Sequence, residues 1–499
     1  MSVSRMRMTS NQVWVLALTS LGSFMIALDS TVVTTALSTI RRDLGASVAT
    51  LEWTVNAYVL SFAVLLMTGA ALGDRFGRRR MFVAGLALFT AASAACGLSP
   101  GIGVLIAARA VEGAGAALVM PLALTQLSSA FTAAQRGRAL GLFTGAVGLA
   151  TLSGPFIGGA IAQGLAWQWI FWINVPIGLL AIACVLARMA ESHGPNGRLD
   201  IGGVLLAMGG SFCLVWGAVR GGSAGWGSRE VVAAMTAGAL LVVAFVGWEL
   251  RVNAPMLPMR FFRSRAFTLA NAANFCLVGS MYGTLFFLAQ YLQTALGFGP
   301  FGAGLRLMPR TGTLLICAPV AGNLADRLGE RRFIAGGLLL QAAGMGWLAL
   351  IASPDLAYPQ MLLPLVISGC GISMAMPATQ KVAVSAVSVR EIGQASGAFN
   401  MLRQLGGVFG IAIVVSVFAA TGSFGSPQGF TDGFGPAMAV TAGLALAGAA
   451  AALGAPGRRR ADHASATTST APVPAPDLER SAGPAPDAVL SKAGGPSHN

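Results

Sequence analysis

Charge is what this sequence has least of. Only 10% of its 499 residues are Asp, Glu, Lys or Arg, while 55% are hydrophobic; a soluble protein carries roughly 25% charged side chains. Most of the chain must therefore be solvated by lipid. Lysine is nearly missing, with two residues against thirty arginines. The three histidines, His193, His463 and His498, all lie outside the apolar runs, which leaves no imidazole to carry a proton inside a membrane. The six cysteines (Cys96, Cys184, Cys213, Cys276, Cys317 and Cys370) sit in or at the ends of apolar runs without C-x-x-C spacing. That pattern implies neither a disulfide framework nor a metal site, and the thiols read as small apolar core groups. No G-x-x-x-x-G-K-S/T loop is present to hold a nucleotide. With no nucleophile or metal constellation either, the chain reads as a non-enzyme that takes no cofactor and no metal.

What is present is a series of long apolar runs. The 65 glycines and 23 prolines fall inside them, as membrane helices tolerate and use for close packing. A bilayer-crossing helix needs about 20 apolar residues. Candidate spans lie near 13–37, 53–73, 81–99, 102–125, 139–164, 171–190, 200–220, 231–250, 267–293, 304–325, 333–352, 361–386, 395–419 and 434–456, fourteen in all. Arg5 and Arg7 precede the first run, which continues past Val33 without a small-residue cleavage pattern and reads as a retained helix. Of the 32 basic residues, 22 fall in the N-terminal segment, every second loop and the start of the C-terminal tail; the alternate loops hold only Arg41, Arg42, Arg220 and Arg229. This is the positive-inside bias. It places both termini in the cytoplasm and argues against nucleic acid as the partner of a chain with net charge +14.

One polar signature occurs twice, 252 residues apart: Asp74-Arg75-Phe76-Gly77-Arg78-Arg79-Arg80-Met81 and Asp326-Arg327-Leu328-Gly329-Glu330-Arg331-Arg332-Phe333. At about 30 residues per span and loop, that distance holds eight spans. Two six-span halves alone would put six between the copies, so an extra pair is expected near 200–250. In each copy a carboxylate (Asp74, Asp326) can latch an arginine (Arg75, Arg78, Arg327) or a helix N-terminus and release it in another conformation. Gly77 and Gly329 permit the tight turn. After Pro456 the chain turns to Arg458-Arg459-Arg460 and a Pro-, Ala- and Ser-rich tail expected to be disordered.

Of eighteen acidic side chains, only Asp29 and Glu112 fall well inside apolar runs. A mid-bilayer charge costs at least ~2.5–3.5 kcal/mol on insertion scales, so such groups usually line ion or substrate paths. Asp29 is read as the proton-coupling group; a permanent ion pair with Arg109 is the alternative. Arg109 and Glu112, three apart, share a helix face. Either Arg109 modulates a titrating Glu112 or the two form a self-neutralised pair. Gly154-Pro155-Phe156-Ile157-Gly158-Gly159 makes a kinked helix with a face free of Cβ atoms, able to pack closely and rock. Asn56, Tyr58, Asn271, Asn274 and Tyr282 are candidate substrate contacts in an apolar pocket, or ordinary interhelical hydrogen bonds. Arg306 and Arg310 either line an anionic path or snorkel to the interface.

Several motifs resemble the major facilitator superfamily, in its fourteen-span drug:proton antiporter branch. The repeat is similar to G-x-L-a-D-R-x-G-R-R, with Ala70 for the first copy's leading glycine, while the second copy keeps Gly322. Leu28-Asp29-Ser30-Thr31-Val32-Val33 resembles L-D-x-T-V-V, and Arg109-Ala110-Val111-Glu112-Gly113 resembles R-x-x-Q-G with Glu for Gln. Gly154-Pro155-Phe156-Ile157-Gly158-Gly159 matches an element associated with exporters, and Trp167-Gln168-Trp169-Ile170-Phe171-Trp172-Ile173-Asn174-Val175-Pro176 looks like W-R-W-I-F-x-I-N-V-P. The resemblance implies an all-α polytopic membrane protein of fourteen transmembrane helices. Six-helix bundles over 1–192 and 266–456 would flank two additional helices in 193–265, with the tail at 457–499. It further implies proton-coupled efflux by alternating access, from a monomer in the inner membrane. The substrates would be small hydrophobic drugs or antibiotics, cations among them. The alternative is an importer or exporter of an endogenous metabolite.

Overall fold

Thr9 opens the first helix with a capping box: its hydroxyl accepts the amide of Gln12 at 3.3 Å, and Gln12 Oε1 accepts the amide of Thr9 at 3.1 Å. Helix α1 (Ser10–Leu44) then runs 35 residues to Gly45, whose left-handed φ of 61° closes its C-terminus. It outruns the expected span because Arg41 and Arg42 carry the last turn into the membrane edge, with the Arg41 guanidinium 4.1 Å from the centre of the Phe424 ring. The computed structural model describes residues 8–194, 200–253, 255–388 and 391–454; the tail at 457–499 lies outside them.

The following helices alternate in direction through short connections. They are α2 (Val48–Phe76), α3 (Arg78–Gly97), α4 (Ile102–Ala130), α5 (Ala133–Gly164), α6 (Trp169–Trp172) and α7 (Asn174–Arg188). Then come α8 (Ile201–Ala224), α9 (Arg229–Glu249), α10 (Arg265–Thr294), α11 (Pro300–Leu328), α12 (Glu330–Ile351), α13 (Tyr358–Ser385), α14 (Ile392–Thr421) and α15 (Pro427–Gly454). Helices α6 and α7 form one span: Pro176 has no amide for the Trp172 carbonyl, so the ladder breaks beside Ile173, which keeps helical angles. Thirteen spans among the described residues are long and apolar enough to cross a membrane. With α11, 29 residues long, membrane-length helices number fourteen, as the sequence leads one to expect.

Two faces of the bundle follow from this alternation. The first face carries the start of α1 and the end of α15; the far face carries the ends of α1 and α5 and the starts of α2, α4 and α11. Helices α1 to α7 pack among themselves, α4 lying against both α2 and α3, and α5 against α1. Helices α10 to α15 do likewise, with α10 against α14 and α15 and α12 against α13 and α15. Helix α9 packs on α8, and α8 lies along the line where α2 meets α14. There the Trp53 ring sits 5.3 Å from Phe212 and 6.1 Å from Trp216.

The two sets of helices meet firmly at the far face. Gly159 of α5 backs onto the Pro300 carbonyl, and Gly304 of α11 backs onto the Pro155 carbonyl, so a Cβ at either would stand in the other helix's backbone. The Phe156 and Phe301 rings are 5.1 Å apart beside them. Ser38 of α1 bonds Gln293 of α10, and Gln293 Nε2 donates to the Thr35 carbonyl at 2.9 Å. Toward the first face, Gly141, Gly145 and Gly148 of α5 have no atom within 4 Å of where a Cβ would project.

Lipid does not drive helices together, so small residues and close backbone contact must. Gly410 of α14 lies directly against the backbone of Gly279 in α10. Gly410→Leu is expected to overpack this contact and destabilise by about 1–3 kcal/mol, seen as a lower Tm in detergent, whereas Gly141→Ala, in open space, leaves Tm unchanged. Equal Tm values for both variants would contradict this packing.

Candidate functional site

Five helical segments deliver polar groups to one dry point. Asp29 of α1 is 2% exposed, and Arg109 and Glu112 of α4 are 1% and 0% exposed. Arg109 Nη1 donates to Asp29 Oδ2 at 2.5 Å and to Glu112 Oε2 at 2.8 Å. Its Nε donates to the Thr54 carbonyl of α2 at 3.0 Å, and its guanidinium lies over the Tyr58 ring at 4.2 Å. From α7, Asn174 Nδ2 reaches Asp29 Oδ1 at 3.4 Å and Ser93 Oγ of α3 at 3.1 Å. Cys96 Sγ donates to Glu112 Oε2 at 3.5 Å. Two carboxylates thus share one guanidinium nitrogen. By charge balance the cluster is neutral only when it also holds one proton, and an uncompensated charge here is costly.

The glycine element of α5 packs on the same turn of α1. Gly154 lies against Thr31 Oγ1 and Gly158 against the Val32 carbonyl, two and three residues beyond Asp29. Gly159, on the next face, is at the far-face contact with α11. One helix therefore touches both the Asp29 turn and the contact between the two helix sets.

At the first face, Asp74 Oδ1 accepts Arg78 Nε at 2.9 Å and Nη2 at 2.8 Å, and Arg75 lies over the Phe76 ring at 5.2 Å. Gly77 takes φ 105° between α2 and α3. The amides opening α3 go to a residue that the sequence analysis passed over: Glu191 accepts Arg79 N at 2.8 Å and Arg80 N at 3.2 Å, as a carboxylate at a helix N-terminus should. In the second copy Gly329 has φ 87°, and Glu330, standing where Arg78 stands, pairs with Lys381 at 2.9 Å. The side chains of Asp326 and Arg327 lie outside the described residues.

The candidate substrate contacts separate. Tyr58 belongs to the Arg109 cluster. Asn56 Nδ2 donates to Glu52 Oε1 at 2.5 Å, a carboxylate 0% exposed. Glu52 was missed because the expected second span began one residue after it, whereas the Ser47 cap starts α2 at Val48. Asn271 bonds its own Phe267 carbonyl, Asn274 accepts Thr379 Oγ1 at 3.4 Å, and Tyr282 lies against Gly407. Asn174 was quoted in a motif without a role; the signal for it was an amide inside an apolar run.

Because Arg109 neutralises two buried carboxylates, Arg109→Met should destabilise by about 3–5 kcal/mol. Thermal unfolding in detergent checks this, and adding Asp29→Asn to the same chain should recover part of the loss. An unchanged Tm for Arg109→Met would show that the cluster is not held by charge.

Residues 19–411 match the sequence profile of the Major Facilitator Superfamily. The chain is 35% identical over 403 residues to the tetracenomycin C resistance and export protein of Streptomyces glaucescens, covering 80% of this chain and 75% of that one. It is 36% identical over 446 residues to a cephamycin export protein of Amycolatopsis lactamdurans, covering 88% and 91%. With the methylenomycin A resistance protein of Bacillus subtilis the identity is 34% over 428 residues, covering 85% and 91%. Among solved structures, a bacterial homologue of the human lysosomal transporter Spinster, inward-facing and unoccupied, superposes with a TM-score of 0.65 at 16% identity, covering 90% and 97%. A POT family transporter in complex with 5-aminolevulinic acid gives 0.66 at 16%, covering 86% and 94%; both likenesses concern the fold. Profile and relatives together establish that this chain belongs to the Major Facilitator Superfamily of membrane transporters.

Proposed function

We propose that the protein is a proton-coupled exporter of small lipophilic antibiotics or related toxic compounds, working by alternating access. The observation that carries this reading is the shared guanidinium: two buried carboxylates against one arginine make a cluster that can gain or lose one proton. The names of the relatives, resistance and export proteins for antibiotics, supply the direction of transport and the substrate class.

The two carboxylates have different mechanical consequences. Glu112 bonds Arg109 within α4 and Cys96 of α3, so protonating it leaves the bond between α1 and α4 in place. Asp29 bonds Arg109 across α1 and α4, and its turn carries the α5 glycines that continue to the α11 contact. A proton on Asp29 loosens α1 from α4 and is felt at the far-face contact. The moving bodies are taken as residues 1–192 and 266–456, rocking about a midplane site, with 193–265 as the additional pair. The first face, where most arginines of the loops cluster, is cytoplasmic, so both termini lie inside the cell membrane. A single chain holds the complete cluster, so the transporter acts as a monomer.

Protons entering from outside protonate the cluster and favour substrate release outward; return of the proton inside resets binding. In proteoliposomes carrying a pH-sensitive dye, Asp29→Asn should abolish substrate-driven proton release while the protein remains folded. Glu112→Gln, which leaves Asp29 and Arg109 as an already neutral pair, should also weaken it. Full antiport by Asp29→Asn would sink the coupling assignment, and a resistance and efflux panel in a pump-deficient host tests the substrate class.

A further inference from the structure

The later set of helices carries an arginine much like Arg109, but without its acids. Arg310 lies ten residues past Pro300, the start of α11, about 15 Å along the axis at 1.5 Å per residue and so near the middle of a ~30 Å hydrocarbon core. It is 5% exposed. Its Nε donates to Ser368 Oγ of α13 at 3.3 Å, and its Nη2 is buried with no hydrogen-bond partner. Gly369 of α13 lies against the Arg310 carbonyl, so the two helices are in backbone contact beside the guanidinium. Snorkelling does not account for it. Arg306, one turn nearer the far face, does that: it lies 3.6 Å over the Phe298 ring and donates to the Gly302 carbonyl. Arg310 is too deep.

Among the described residues no acid pairs with it. Beyond residue 265 the acidic residues before the tail are Asp326, Glu330, Asp355, Glu391 and Asp432, all in connections or near helix ends. A second cation lies on α14, eleven residues from its first-face end: Arg403, whose Nε is also buried without a partner, one turn from the Tyr282 ring at Gly407. In the earlier set, Arg109 has two carboxylates. In the later set, two arginines have none. A buried guanidinium with an open hydrogen-bonding edge is costly unless an anion meets it, and a fork of N–H donors is matched best by a carboxylate or a similar planar oxyanion.

We propose that Arg310, with Ser368, is a substrate subsite for the acidic group of a lipophilic organic anion. This rests on the exporter reading and narrows it, replacing the cationic substrates expected from the sequence with organic acids. Of the buried acids in the earlier set, Asp29 and Glu112 are already bonded to Arg109, while Glu52 is bonded to Asn56 near the far-face end of α2.

The test uses the full chain in nanodiscs and three probes of matched size: 1-pyrenebutyrate, its neutral methyl ester, and a pyrenyl quaternary ammonium. The wild type should bind the carboxylate more tightly than the ester or the cation, and accumulate it inside inverted vesicles. Arg310→Gln should weaken carboxylate binding by roughly thirtyfold while leaving the ester unchanged; Arg310→Lys, which keeps the charge and guards against misfolding, should lose less. Equal affinity of the wild type for the three probes, preference for the cation, or undiminished carboxylate binding in Arg310→Gln would overturn the subsite. Failure of the wild type to export any compound of the resistance panel would instead overturn the exporter reading.

Discussion

A buried guanidinium that must serve two carboxylates constrains everything around it. Arg109 cannot leave its position without stranding Asp29 and Glu112, and neither acid can be buried without Arg109. Satisfying the remaining donors recruits the Thr54 carbonyl from α2 and the Tyr58 ring, while Asn174 and Ser93 fix the other side of Asp29. The helices of the first set are thereby held in register by electrostatics where lipid supplies no hydrophobic force. The same arrangement has an odd number of charges, so by charge balance it is neutral only with one proton bound.

Glycine brings the neighbouring helices into backbone contact beside this cluster. The Gly154–Gly159 stretch presents one side to the Asp29 turn of α1 and the other to Pro300 and Phe301 of α11. A helix with side chains there would stand off both neighbours, and a change at Asp29 would be absorbed by soft side-chain packing. With backbone against backbone, a small displacement of α1 is transmitted without slack.

The internal duplication has diverged where function asks the two sets of helices to differ. Both loop copies keep a glycine at positive φ, yet Arg78 of the first is answered by Glu330 in the second, which pairs with Lys381 rather than with an aspartate on its own loop. The interior follows the same course: acids accumulate around Arg109, and arginines stand alone in the later set.

The sequence alone determined that fourteen runs are long and apolar enough to cross a membrane, that one loop signature occurs twice, and that Asp29, Arg109 and Glu112 are exceptional acids and base inside such runs. These follow from local facts: run length, charge scarcity, and repeated motifs whose spacing counts helices. Helix ends were legible only to within a turn or two, because caps such as Thr9 and Ser47 and the Arg41–Arg42 pair extend helices past their apolar cores; that margin hid Glu52. Only the tertiary structure decided who meets whom. That Arg109 serves both acids, that Asn174 and Tyr58 join them, that Glu191 caps α3, and that Arg310 is deep and unmatched while Arg306 reaches the edge are facts about side chains from helices far apart in sequence. Hydrogen bonds and ion pairs depend on distances of a few tenths of an ångström across helix interfaces, and no periodicity within a single helix encodes them.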